Sequence, residues 1–133
     1  MDLSIITVNT NDKKLILDQI ASVAQGTGDL LFEQIISDNG STDGSVEEIK
    51  KQFPQVKIIE NEKNIGFGAA NNSALQIAKG EFILFLNPDM RVSPGSLQIL
   101  VAHMREHKDV GIASCKLINE HGDFSEDAKP RRF

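Results

Sequence analysis

Apolar positions along the chain change period repeatedly, and the changes outline alternating strands and helices. Residues 3–8 form a β-branched apolar run ending in the polar stretch Asn9-Thr10-Asn11-Asp12, after which Leu17, Ile20, Ala21 and Ala24 recur at helical spacing. Gly26 and Gly28 are expected to stop that helix. Residues 32–36 predict a second strand. Ser45 with Glu48 reads as a capping box opening a helix whose Val46, Ile49 and Phe53 share a face, closed by Pro54. Residues 56–59 predict a third strand, and Ala70, Ala74 and Ile77 mark a third helix. Residues 82–86, apolar throughout, predict a fourth strand at the centre of the sheet. Ser93-Pro94 supplies a cap and a first-turn proline for a helix with Leu97, Leu100, Val101 and Met104 on its buried stripe. Residues 110–118 predict a fifth strand, with Cys115 buried in it.

Buried strands alternating with helices imply an α/β fold, a mostly parallel sheet sandwiched by helices. In such sheets ligands bind beyond the carboxyl ends of the strands, so the residues after each strand matter most. Asn9-Thr10-Asn11-Asp12 follows the first strand, Ser37-Asp38-Asn39-Gly40-Ser41-Thr42-Asp43-Gly44 the second, and Asn87-Pro88-Asp89-Met90 the fourth. All three are polar and bear a carboxylate. Residues 1–122 are expected to make one domain, with 123–133 an irregular tail at a truncation point.

Charge narrows the partners. Fourteen basic against nineteen acidic residues give a net charge of −5 in 133 residues, with no basic stripe for nucleic-acid phosphates. No apolar run approaches the roughly 20 residues that span a bilayer, and the start lacks the basic segment of a signal peptide, so a cytoplasmic location is expected. A lone cysteine fits a reducing compartment.

The carboxylates offer specific chemistry. Asp38, beyond a strand end and before Gly40, can accept hydrogen bonds from a base or ribose; it can equally be an Asx-turn residue. Asp89, beside a rigid proline, can hold a hard divalent cation that also takes phosphate oxygens, or favour the N-terminus of the helix starting near Ser93. Gly66-Phe67-Gly68-Ala69-Ala70-Asn71 resembles a dinucleotide fingerprint only superficially, because it follows the third strand and ends in Asn71; a helix start with amides available to an anion fits better. His103 and His107 have the spacing of a helical metal pair, but their charged surroundings indicate a solvated face.

Taken together, Ile6-Thr7-Val8-Asn9, the Ser37 to Gly44 segment, Asn64-Ile65-Gly66-Phe67-Gly68-Ala69-Ala70-Asn71, Gly80-Glu81 and Phe85-Leu86-Asn87-Pro88-Asp89 resemble family 2 glycosyltransferases of the GT-A fold, from Ser4 to about Gly122. The resemblance implies a Rossmann-like half that binds a nucleotide-diphosphate sugar. It places Thr7, Val8, Asn9, Asp38 and Asn39 around base and ribose, and adds Asn64, Gly66 and Asn87 to the nucleotide-sugar set. Asp89 matches the last aspartate of the family's Asp-x-Asp motif, which contacts a divalent cation, Mg2+ or Mn2+, on the diphosphate. Asn87 stands where an aspartate is usual, which leaves a second carboxylate contact open. With Arg131-Arg132-Phe133, the Asn-Pro-Asp version resembles the rhamnosyltransferase-like branch. The implied reaction is sugar transfer with inversion to a glycan or lipid-linked acceptor in polysaccharide biosynthesis, the full enzyme associating peripherally with the inner face of the membrane. The catalytic base is expected beyond Phe133, this chain being the donor-binding half. A nucleotide-binding module without catalysis is the alternative. A phosphoacceptor receiver domain would want an acidic pair after the first strand and a lysine after the fifth, and neither is present.

Overall fold

The computed structural model describes residues 1–124. Its elements run β1 (Leu3–Asn9), α1 (Lys13–Thr27), β2 (Phe32–Asp38), α2 (Ser45–Gln52), β3 (Lys57–Glu60), α3 (Phe67–Leu75), β4 (Phe82–Phe85) and α4 (Ser96–Glu106). The strands form one sheet in the order β3-β2-β1-β4, parallel at every junction. The chain therefore winds outward from β1 through β2 to β3, then crosses back to β4 on the other side of β1. The switch point lies between β1 and β4, where an open α/β sheet offers a crevice for ligands.

Strand alternation assigns the two faces. Leu3 and Ile5 of β1 pack with Val23 of α1 and with Leu97 and Val101 of α4, while Ile36 of β2 meets Ile16 and Ile20 of α1 and Ile49 of α2. Ile6 and Ile35, on the opposite face, pack against Ala74 of α3. Each such fully buried isoleucine or valine contributes about 1.5–3 kcal/mol relative to exposure. Small alanines let α3 lie close to the sheet; Ala70 and Ala74 are both buried.

The N-terminal ends of the strands are locked by polar contacts. The Ser4 hydroxyl donates to Glu33 Oε1 at 2.6 Å and accepts from the amides of Lys79 and Gly80, while Lys57 Nζ lies 2.5 Å from Glu33 Oε2. The 79–80 backbone approaches β1 so closely that a Cβ on Gly80 would lie 2.3 Å from Ser4 N. Only glycine fits there.

Several expectations need correction. β4 is an outer strand of this sheet and its Ile83 and Phe85 are exposed, because α3 covers β1 and β2 instead. α1 continues through Gly26 to Thr27, and its buried face is Ile16, Gln19, Ile20, Val23, Gly26 and Thr27, leaving Ala21 and Ala24 outside. Ser45 is the first residue of α2 and caps nothing; its amide donates to Asp43 Oδ1 at 3.0 Å, and Gly44 is the N-cap. Ser93 and Pro94 form a turn ahead of α4, whose N-cap is Gly95. Ile77 lies past α3 and is exposed. Residues 110–118 form no strand: among the described residues the run makes no backbone ladder with β4 or any other strand, Ile112 is 92% exposed, Cys115 is exposed, and the one bridge is Ile118 to Phe124. The expected tail lies largely outside the described residues, as does Arg131-Arg132-Phe133.

Candidate functional site

The carboxyl ends of β1, β2 and β4 bring two unlike loops to one edge of the sheet. The first begins where the β1–β2 ladder ends, with the Asn39 amide donating to the Asn9 carbonyl at 2.9 Å. Asp38 is 2% exposed, and its carboxylate is already engaged: Oδ2 accepts from the Ser41 amide at 2.8 Å, and Oδ1 accepts from the Ser41 hydroxyl at 2.6 Å and from Asn9 Nδ2 at 2.8 Å. Asn9 Nδ2 also reaches Ser45 Oγ at 2.9 Å and Ser41 Oγ at 3.1 Å. Asn11, at φ 53°, a left-handed conformation that asparagine tolerates, accepts from the Thr42 amide at 2.7 Å. Asp43 accepts from the Lys13 and Ser45 amides. Burial pushes the Asp43 carboxyl up, but hydrogen bonds from Ser45 and the Lys13 amide outweigh it and hold the group below its ordinary value.

Asn39 carries the same bracing to the segment before α3. Its Nδ2 donates to Asn64 Oδ1 at 3.3 Å, its Oδ1 accepts from Asn61 Nδ2 at 3.2 Å, and Asn64 Oδ1 accepts from the Gly66 amide at 2.8 Å. Asn64 and Gly66 are exposed, so this corner presents polar groups to solvent from a rigid base.

The second loop differs. The β1–β4 register stops at Ile6 and Phe85, with a last ladder bond from the Leu86 amide to the Ile6 carbonyl, whereas β1 runs on to Asn9. Asn87, Pro88, Asp89 and Met90 then make a β-turn closed by the Met90 amide on the Asn87 carbonyl at 3.1 Å, with proline at its favoured second position. Asn87 and Asp89 are both exposed, and neither side chain has a hydrogen-bond partner among the described residues. The turn is held from beneath by α1. Gln19, completely buried, places Nε2 2.8 Å from the Asn87 carbonyl and 3.0 Å from Thr7 Oγ1. Farther along, the Val92 amide donates to Ser22 Oγ at 3.0 Å, and Val92 packs on Gly26.

Sequence-expected residues therefore fall into two groups. Val8, Asn39, Asn64, Gly66, Asn87 and Asp89 lie at the edge. Thr7 and Asn9 are 1% and 0% exposed and turn into the helix-covered face, because odd-numbered positions of β1 face α1; as placed they hold the loops rather than offer side chains to a ligand. Asp38 makes the turn, with about one lone pair of its carboxylate uncommitted. Gln19 and Ser22 were not anticipated; the only sequence signal is a glutamine one position from Ile20 where the buried stripe wants an apolar residue. His103 and His107 are exposed and stack on each other with centroids 4.1 Å apart.

For a metal, the described residues contain no group of three His, Cys, Asp or Glu side chains able to hold one. A single exposed carboxylate without a protein partner fits an ion that keeps water and takes phosphate oxygens, and does not fit an all-protein cage. No helix among the described residues is long and apolar enough to cross a membrane.

Comparison with known proteins agrees with the fold. An uncharacterized glycosyltransferase of Methanocaldococcus jannaschii is 28% identical over 138 residues, covering 98% of this chain and 47% of that protein. The poly(ribitol-phosphate) beta-glucosyltransferase of Bacillus spizizenii is 33% identical over 130 residues, 92% of this chain and 20% of the relative. The chain thus spans less than half the length of these curated relatives. Among solved structures, Staphylococcus aureus TarS 1-349 in complex with UDP-GlcNAc superposes with a TM-score of 0.72 at 31% identity, over 81% of this chain and 32% of that one. The model of the glycosyl transferase family 2 domain matches residues 4–132, nearly the whole sequence, and on that match the chain belongs to this family.

Proposed function

We propose that residues 1–122 form the donor-binding part of a glycosyltransferase that moves a sugar from a nucleotide-diphosphate sugar to a hydroxyl of a saccharide or polymer acceptor. The observation that carries this reading is the meeting, at the switch point of the sheet, of a rigid polar corner built on Asp38 and Asn39 with an exposed turn bearing Asp89. Solved TarS structures hold UDP and UDP-GlcNAc, which supports a uridine-type donor as the first to try.

In this reading Val8, Asn39, Asn64 and Gly66 line the nucleoside end, with Thr7, Asn9 and Asp38 as the frame behind them, and Asn87 and Asp89 lie toward the diphosphate. Asp89 would hold a divalent cation, Mg2+ or Mn2+, which supplies positive charge to offset that gathering on the leaving diphosphate. Transfer breaks the bond between the anomeric carbon and the diphosphate oxygen as the acceptor oxygen forms a new bond from the opposite side, inverting the centre. The acceptor's proton passes to a base that the family resemblance assigns beyond Phe133. Cytoplasmic donor pools and a peripheral position at the membrane are part of the same proposal.

Calorimetry of UDP and GDP with and without Mn2+ tests it. Binding is expected to be weak and to tighten with the metal; equal affinity in chelator would count against a metal role for Asp89. A nucleotide-binding module without catalysis is the second reading, favoured by the uncharged Asn87 in place of a second carboxylate. Sugar release by a longer protein separates the two.

A further inference from the structure

We infer that Gln19 is a positioning residue for the Asp89 turn, the far side of which is fixed by Ser22; this rests on the reading of Asp89 as the diphosphate-side carboxylate. Three observations carry it. The β1–β4 ladder ends at Ile6 and Phe85, so the carbonyls of Leu86 and Asn87 leave the sheet without a strand partner on that side. Gln19 enters the gap: its Nε2 lies 2.8 Å from the Asn87 carbonyl and 3.4 Å from that of Leu86, and also reaches Thr7 Oγ1 on β1. The second point of attachment is Val92, whose amide donates to Ser22 and whose side chain fills the space over Gly26.

Asp89 thus sits between two pins on one helix face, with Gln19, Ser22 and Gly26 on successive turns of α1. An amide suits the first pin because its two hydrogens serve two acceptors, one on β1 and one on the turn, and so set the spacing of the strands where the sheet splits. The Asn87 carbonyl accepts both Gln19 and the turn-closing Met90 amide, so release of Gln19 loosens the element that orients the neighbouring carboxylate. Residues that orient a metal-binding carboxylate without touching the metal set its affinity through geometry.

Gln19→Met keeps the volume and removes the donor. Amide hydrogen exchange without nucleotide is expected to speed up at Met90 by about tenfold while β2 stays protected. The Mn2+-dependent gain in UDP affinity is expected to fall by about tenfold, with affinity in chelator unchanged. Ser22→Ala, a milder change, should release Val92 and lower the same gain, and it decides the matter should Gln19→Met fail to fold. Unaltered exchange in the turn overturns the inference. Faster exchange with the metal-dependent gain intact overturns its link to the diphosphate. Wild-type protein that gains nothing from Mn2+ instead overturns the reading of Asp89 in the preceding section, while the exchange rates still decide whether Gln19 holds the turn.

Discussion

The loop after β2 and the loop after β4 occupy the same edge of one sheet, yet they are built by opposite means. Residues 38–45 brace themselves: Asp38, Ser41, Asp43 and Ser45 bond to one another and to Asn9, and the key side chains are buried. The turn at 87–90 does almost nothing for itself beyond one backbone bond and is held by a helix it does not belong to. Internal bracing spends the polar groups on the fold, whereas external bracing leaves Asn87 and Asp89 uncommitted. A side chain that must change partners when a ligand arrives is better kept out of a self-satisfied network, since removing a bond from such a network costs the full desolvation of what remains.

If that contrast is right, Asp38 is the costlier residue to lose. Asp38→Ala removes the acceptor of both the Ser41 amide and the Ser41 hydroxyl and one of the contacts of the buried Asn9 Nδ2, and denaturant unfolding should show about 2–4 kcal/mol of lost stability. A loss under about 0.5 kcal/mol would erase the distinction between the loops.

Glu33→Gln probes the far end of the sheet and shows whether charge or loop bracing sets acid stability. Burial pushes the Glu33 carboxyl up, but hydrogen bonds from Lys57, Ser4 and the Lys79 amide outweigh it and hold it below its ordinary 4.5. A depressed folded-state value means that the ionised group stabilises fully above the unfolded value and that this is lost as pH falls through the folded one. The variant should lose about 1–3 kcal/mol at neutral pH and converge on the wild type in acid below 4.5. A constant offset at all pH values would show that the ion pair is not responsible.

Asp89→Asn should have the smallest effect on folding, within about 0.5 kcal/mol, because the side chain is exposed and unpartnered among the described residues. It should also abolish the difference between UDP binding in Mn2+ and in chelator. A clear drop in melting temperature would assign Asp89 to the fold and make the two loops alike.

The order of the elements from β1 to α4 was legible in the sequence because strand runs and helical stripes have different periods, and the loops at strand ends could be located from them. The phase of α1 was not. Leu17, Ile20, Ala21 and Ala24 have helical spacing, but the buried face is centred on Gln19, which hydrophobicity alone assigns to solvent. β4 was misplaced for a related reason: Phe82, Ile83, Leu84, Phe85 and Leu86 read as buried on both faces, while only the α4 side is covered. Asp38 could be named as either ligand group or turn group, and only the positions of Asn9 and Ser41 reveal how much of its carboxylate the turn consumes.

Two glycines of this chain would behave very differently in a saturation library. At Gly80 even a methyl group would penetrate the backbone of β1, 2.3 Å from Ser4 N and 2.7 Å from Leu3 C, so a selection for folded protein should return a single surviving codon family. Gly68, in the first turn of α3, has no positive φ, and beyond its chain neighbours and its own helix backbone no atom lies within 4 Å of where a Cβ would stand, so the same selection should return a wide range of amino acids. Both lie in segments that carry the family resemblance, yet folding alone constrains only one. Any restriction found at Gly68 under selection for activity would therefore report on what approaches the start of α3 from outside the chain.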